Sequence, residues 1–219
     1  MARDQEGRKM NRRIRLYPFW LRAWHWSNAA LFVALIVSGV SLHYADPSFP
    51  WIPFRIARSL HNVAGIALAA LYVAFVGGNV LRGGWRQYAP DTTRLLDRMR
   101  RQGAYYLWGV FRGEAHPFQV TPSRRFNPLQ QMTYLVVMGV ALPLLIATGL
   151  LLLFPQAAPE RVLGAGGVWP VAVAHSVVAF LLTLFFLGHV YLATMGASIL
   201  SGARGMITGW HEPHEGHGQ

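Results

Sequence analysis

The sequence predicts an all-α fold, an integral-membrane four-helix bundle, and three observations carry that prediction. Apolar residues make up 53% of the 219-residue chain and charged residues 13%, about half of the roughly 25% charge usual in soluble domains. Four segments are apolar over the roughly 20 residues that a spanning helix needs. The basic residues fall unevenly on the two sides of those segments.

The first span is expected over about Trp24 to His43 and the second over about Leu60 to Leu81. The third covers about Met132 to Phe154 and the fourth about Val168 to Ile199. Pro143 lies inside the third span. It cannot donate to the helix ladder, so a kink is expected there, with a neighbouring helix re-satisfying the freed carbonyl. A basic stretch precedes the first apolar run, as in a signal peptide. That run carries His25, Ser27 and Asn28 and has no clear small-x-small cleavage site, so it reads as a retained helix.

The net charge is +11, and every basic residue except Lys9 is arginine. Such a balance can mark a nucleic-acid partner, but these arginines lie between long apolar segments, so membrane topology explains them and no nucleic acid is expected. The side holding both termini and the long loop carries seventeen arginines and lysines, against three on the other side. Positive charge is retained inside, so both termini are expected in the cytoplasm and the chain in a membrane, in contact with lipid. The expected organisation is a cytoplasmic segment 1–23, a transmembrane domain 24–199 that includes a cytoplasmic loop 82–130, and a cytoplasmic tail 200–219. The chain has no cysteine, which excludes disulfides, thiolate-held clusters and covalent c-type haem attachment.

Within the loop, Asp91 to Phe111 sets a candidate N-cap at Asp91 before Leu95, Leu96, Met99, Tyr106, Leu107 and Trp108, interleaved with arginines. That pattern predicts an amphipathic helix on the membrane face. No internal repeat stands out. The tail from His211 to His217 is His-rich and reads as a disordered end.

Histidines carry the chemistry. Five of the nine lie in or at the ends of spans: His25, His43, His61, His175 and His189. Ionisable residues at membrane depth are costly and usually functional. His175 and His189 are 14 residues apart, which at about 100° and 1.5 Å per residue sets them on one helix face, roughly 21 Å apart along the axis. His25 opens the first span on the inner side and His61 opens the second on the outer side. Depth therefore pairs His25 with His189 and His61 with His175. Neutral imidazole is a usual axial haem ligand, so the four histidines are the expected metal ligands of two bis-imidazole irons. Six-coordinate irons move electrons and leave no open position for bond chemistry. His43, at the end of its span, is expected to pack at the interface. Gly39 and Gly65 share faces with these histidines and Gly188 adjoins one of them, leaving room for a macrocycle or serving helix packing. Arg22, Arg55 and Arg58 suit haem propionates or headgroups equally well.

With those residues in place the chain resembles a known family, the cytochrome b subunits of bacterial respiratory formate dehydrogenases, NiFe hydrogenases and thiosulfate reductases. The likeness is strongest to the thiosulfate-reductase type. It is carried by Trp24–His25–Trp26–Ser27–Asn28, Leu60–His61–Asn62–Val63–Ala64–Gly65, Tyr105–Tyr106–Leu107–Trp108–Gly109, Phe126–Asn127–Pro128–Leu129–Gln130–Gln131, Ala174–His175–Ser176 and Gly188–His189–Val190–Tyr191. The resemblance implies two haems b with the same histidine pairs. It also implies an exchangeable quinone, menaquinone or ubiquinone, at His189 and Asn127 with Gln130 nearby. Where the relatives have Ala–Gly between the Asn and the Gln, this chain has Pro128–Leu129. An extracytoplasmic redox partner is implied as well, either an iron–sulfur and molybdopterin enzyme or a multihaem cytochrome c. The function expected is electron transfer between the quinone pool and that partner. The alternative is a stand-alone dihaem oxidoreductase acting on a small diffusible redox species.

Overall fold

The computed structural model describes residues 14–15, 17–46, 51–83, 92–114, 117–118, 126–162, 164–194 and 201–211. Its long elements are α1 (Phe19–His43), α2 (Phe54–Leu81), the loop helix α3 (Leu95–Ala104), α4 (Pro128–Val136), α5 (Leu142–Leu153), α6 (Trp169–Thr194) and α7 (Ser201–Thr208). A π-helical turn, Val137–Ala141, joins α4 to α5, so the third span is one helix from Pro128 to Leu153. Among the described residues four helices are thus long and apolar enough to cross a membrane. Most of their large apolar side chains are exposed, Val177, Phe180, Leu184 and Leu187 on α6 among them. Lipid is as apolar as leucine, so such a surface is stable only in a bilayer. The chain is a multi-pass membrane protein with four spans.

Three of the four helices begin before the apolar window that predicted them; the fourth, expected over about Val168 to Ile199, is described from Trp169 to Thr194. α1 starts at Phe19 rather than Trp24, α2 at Phe54 rather than Leu60, and the third span at Pro128 rather than Met132. Hydropathy sees the part in hydrocarbon, whereas a helix continues into the interface as long as its backbone is satisfied. Arg55 and Arg58 consequently fall in the first turns of α2, where both are exposed. Tyr44, Trp51 and Phe54 around the α1–α2 connection are exposed aromatics, as the membrane–water boundary favours.

The chain divides into two compact units. One comprises 23–82 and 136–187 and holds most of the four spans. Its packing is specific. The buried stripe of α2 is Ala57, Ala64, Leu68, Phe75 and Asn79, spaced at the helical period of a packing seam. Trp24 of α1 stacks on Phe75 at 4.1 Å between ring centres and donates its indole N–H to the Leu71 carbonyl at 3.1 Å. Phe32 of α1 stacks on Phe186 of α6 at 6.4 Å. Beside Pro143 the ladder has slipped by one residue: the Leu142 N–H bonds the Val137 carbonyl. The next donor in that register would be residue 143, and proline has none. The Tyr72 hydroxyl of α2 donates to the Met138 carbonyl instead, at 2.8 Å, which meets the expectation that a neighbouring helix satisfies the freed group. A small hairpin, β2 (Arg161–Val162) on β3 (Ala165–Gly166), precedes α6.

The other unit comprises 1–22, 83–135 and 188–219. Here β1 (Ile14–Arg15) pairs antiparallel with β4 (Trp210–His211). The Arg22 guanidinium donates to the Ile207 carbonyl. Gly209 has φ +83°, and a Cβ there would lie 2.8 Å from the Tyr17 carbonyl oxygen; only glycine takes both the conformation and the approach. The helix expected over Asp91 to Phe111 is α3, continued by a π turn at Tyr105–Gly109 and a 3-10 turn at Val110–Arg112. It is amphipathic, with Gln102 and Gly109 buried and Leu96, Leu107, Trp108 and Phe111 exposed. Asp91, the expected cap, lies outside the described residues, as do 212–217 of the His-rich tail.

Candidate functional site

His61 of α2 and His175 of α6 face each other. Their ring centres are 6.3 Å apart and their planes are inclined at 74°. Metal–imidazole bonds are roughly 2 Å and a ring centre lies roughly 1 Å behind its nitrogen, so two rings sharing one ion have centres about 6 Å apart. The observed spacing fits a bis-imidazole iron with a planar macrocycle between the rings.

Each ring is held from behind by a hydroxyl. His61 Nδ1 is 3.0 Å from Ser38 Oγ of α1, and His175 Nδ1 is 3.0 Å from Thr148 Oγ1 of α5. The Ser38 hydroxyl donates to the Ala34 carbonyl at 2.6 Å, and the Thr148 hydroxyl donates to the Leu144 carbonyl at 2.7 Å. A hydroxyl has one hydrogen to give. With that hydrogen committed to the backbone, each oxygen can only accept from the imidazole. Nδ1 therefore carries the proton and Nε2 keeps its lone pair, the tautomer a metal needs.

A glycine follows each hydroxyl residue and admits the ring. A Cβ on Gly39 would lie 3.3 Å from His61 Cε1, and a Cβ on Gly149 would lie 3.2 Å from His175 Cε1. Gly39, expected to leave space for a macrocycle or to serve packing, makes room for an imidazole. A Cβ on Gly65 or Gly188 would meet nothing within 4 Å, so neither is held to glycine by a described neighbour. Among the described residues no three His, Cys, Asp or Glu side chains gather as a metal cluster; what is gathered is a facing pair of imidazoles.

The remaining predicted residues are placed as follows. His25 lies in the second turn of α1, edge-on to Trp26 at 5.3 Å. His189 lies near the end of α6. The first belongs to one compact unit and the second to the other. His43 ends α1, exposed and edge-on to Tyr44 at 4.8 Å, the placement expected of an interfacial residue. Asn127 and Gln130 form a reciprocal cap on α4. The Gln130 N–H donates to Asn127 Oδ1 at 2.8 Å, and the Asn127 N–H donates to Gln130 Oε1 at 3.1 Å. Pro128 follows the cap at the first helical position, where its missing N–H costs nothing.

Asn127 also donates through Nδ2 to the Tyr106 hydroxyl at 3.0 Å. Burial pushes the Tyr106 phenol above its ordinary range; hydrogen bonds from Asn127 and Gln102 pull against that, and Tyr105 adds to it. Sequence reasoning had placed Tyr106 only on an apolar helix face. Its separation from Asn127 by 21 residues gave no local signal. Ser38, Thr148 and Gly149 were also missed.

Membrane helices carrying facing imidazoles are what a membrane b-type cytochrome would use, and comparison with known families places the chain in that class. Residues 16–209 match the family described as prokaryotic cytochrome b561, so the chain belongs to that family. A relative in Escherichia coli (strain K12), named "Putative cytochrome YdhU", is 38% identical over 204 residues, which is 91% of this chain and 75% of that protein. The protein is a haem-b-binding membrane electron-transfer protein of the cytochrome b561 family.

Proposed function

We propose that the protein is a dihaem wire between membrane quinone and a redox partner on the outer face of a bacterial inner membrane. The observation that carries this reading is the His61–His175 pair at 6.3 Å, with both Nδ1 atoms tied back and both Nε2 atoms left for iron. In the proposal these two histidines hold the outer haem, and His25 and His189 hold the inner one. Bound haem iron with two imidazoles supplies reversible one-electron chemistry without an open coordination position. The chain's own residues fix the rings, exclude water from them with apolar helices and set their tautomers.

The quinone is proposed at the inner haem, beside His189 and the Asn127 turn, with Gln130 nearby. Both carbonyl oxygens of that turn are committed to the cap. What the turn offers a quinone carbonyl is side-chain amide N–H, from Gln130 and from Asn127, one of whose protons is held by Tyr106. The partner, an iron–sulfur and molybdopterin enzyme or a multihaem cytochrome c, would dock on the outer connections, with 1–23, 82–130 and 200–219 cytoplasmic. The seventeen-to-three arginine and lysine asymmetry supports that orientation.

A reduced-minus-oxidised spectrum with haem quantified per chain tests the reading, repeated for alanine at each of the four histidines. Two b-type haems are expected. His25→Ala and His189→Ala should perturb one, and His61→Ala and His175→Ala the other. Absence of stoichiometric haem would overturn the proposal.

A further inference from the structure

The two hydroxyls behind the imidazoles form a matched device. Ser38 precedes His61 by 23 residues and Thr148 precedes His175 by 27. In both cases the hydroxyl residue is followed by a glycine, stands on one helix and reaches the histidine of the next helix. Ser38 is 0% exposed and Thr148 6%, so water does not compete for either bond. Each oxygen accepts from Nδ1–H while its own hydrogen is anchored to a carbonyl four residues back. The oxygen thus cannot rotate to become a donor without breaking its backbone bond.

We propose that Ser38 and Thr148 are positioning residues that set the reduction potential of the haem held by His61 and His175, by fixing both rings in the Nδ1–H tautomer and raising the basicity of both Nε2 atoms. A more basic ligand favours ferric over ferrous iron, so the intact pair holds the potential down. This rests on the ligand assignment proposed above. Partners of this kind are worth about 10–100-fold in metal affinity. A tenfold selective loss of hold on the ferric form corresponds to about 59 mV for one electron.

The test is a redox titration of the full-length protein in detergent, following each haem separately and counting haem per chain. Thr148→Val keeps the shape and removes the hydroxyl; Thr148→Ser keeps the hydroxyl and loses the methyl; Ser38→Ala removes the other hydroxyl, leaving the Leu35 carbonyl beside His61 in place. In Thr148→Val and Ser38→Ala, the haem lost in His61→Ala should be held about tenfold less tightly in its ferric form, raising its potential by about 59 mV. The second haem should stay where it was. Thr148→Ser should titrate like the parent. Equal potentials in the parent, Thr148→Val and Ser38→Ala would overturn the proposal. So would equal damage in Thr148→Ser and Thr148→Val, which would make the site one of shape. If His61→Ala and His175→Ala kept both haems, the ligand assignment would fall instead.

Discussion

The two helical hairpins that supply His61 and His175 solve one problem with different materials. In the first, α1 and α2 run as uninterrupted α-helices, and a serine holds the ring. In the second, the leading helix is broken by a π turn ahead of Pro143, and a threonine holds the ring. The hydroxyl-to-ring distance is nonetheless 3.0 Å in both. The clearance at the following glycine differs by only a tenth of an ångström, 3.3 against 3.2 Å. The difference teaches that this geometry depends on the last turns of each leading helix and tolerates a slipped ladder upstream. The two hairpins share a device, a hydroxyl, a glycine and a histidine, too sparse to register as sequence similarity.

The largest effect should come from removing either ring. On the proposed ligand assignment, His61→Ala and His175→Ala should each lower haem content by one per chain, because one iron would need both hairpins. A pyridine haemochromogen assay checks this, and unequal losses would break the symmetry. Next come the glycines. Adding a Cβ at Gly149 or Gly39 must move a ring by a few tenths of an ångström, and overpacking of this kind costs about 1–3 kcal/mol. Both alanine variants should release the same haem more readily in a competition with apomyoglobin, Gly149→Ala at least as much as Gly39→Ala.

Tyr72→Phe should separate the hairpins. It removes the hydroxyl by which α2 of the first hairpin serves the Met138 carbonyl in the π turn of the second, a loss of about 1 kcal/mol net. Thermal unfolding in detergent should move down by a few degrees, while a double variant with Ser38→Ala should be close to additive. Strong coupling between the two would show that the slipped ladder does reach the first hairpin.

The smallest effect lies outside both hairpins. Burial raises the folded-state pKa of Tyr106. A phenol raised in this way contributes stability that is present in full below the unfolded value of about 10 and is lost as pH rises through the folded value. The contact between Tyr106 and Asn127 should therefore hold across neutral pH and loosen only in alkali. Tyr106→Phe should remove that alkaline step from a tyrosinate difference titration without changing the haem proposed at His61 and His175.

The four spans and the facing His61 and His175 were legible because both are one-dimensional signals: a long apolar run, and a residue type that hydrocarbon tolerates only for a reason. The class of fold and the haem-type chemistry followed from them. Ser38 and Thr148 were not legible. A hydroxyl within a helix commonly bonds the carbonyl four residues back, so each accounts for itself locally. The second lone pair, which meets the imidazole, exists only once two helices are packed. The cap at Asn127 was readable as a cap. Its bond to Tyr106 crosses 21 residues and belongs to tertiary structure. The starts of the first three spans were expected several residues late because hydropathy measures the hydrocarbon slab and not the extent of the backbone ladder.

The 74° between the His61 and His175 planes has a magnetic consequence. Rings that are nearly crossed donate into different iron d orbitals from the two sides, so the two orbitals that parallel rings would split stay close in energy. An iron held here would keep much of its orbital angular momentum. In the ferric state it would give a strongly anisotropic low-spin paramagnetic resonance signal, displaced to large g. That signal would mark the reduction of this one centre by eye, without deconvolution of overlapping optical bands.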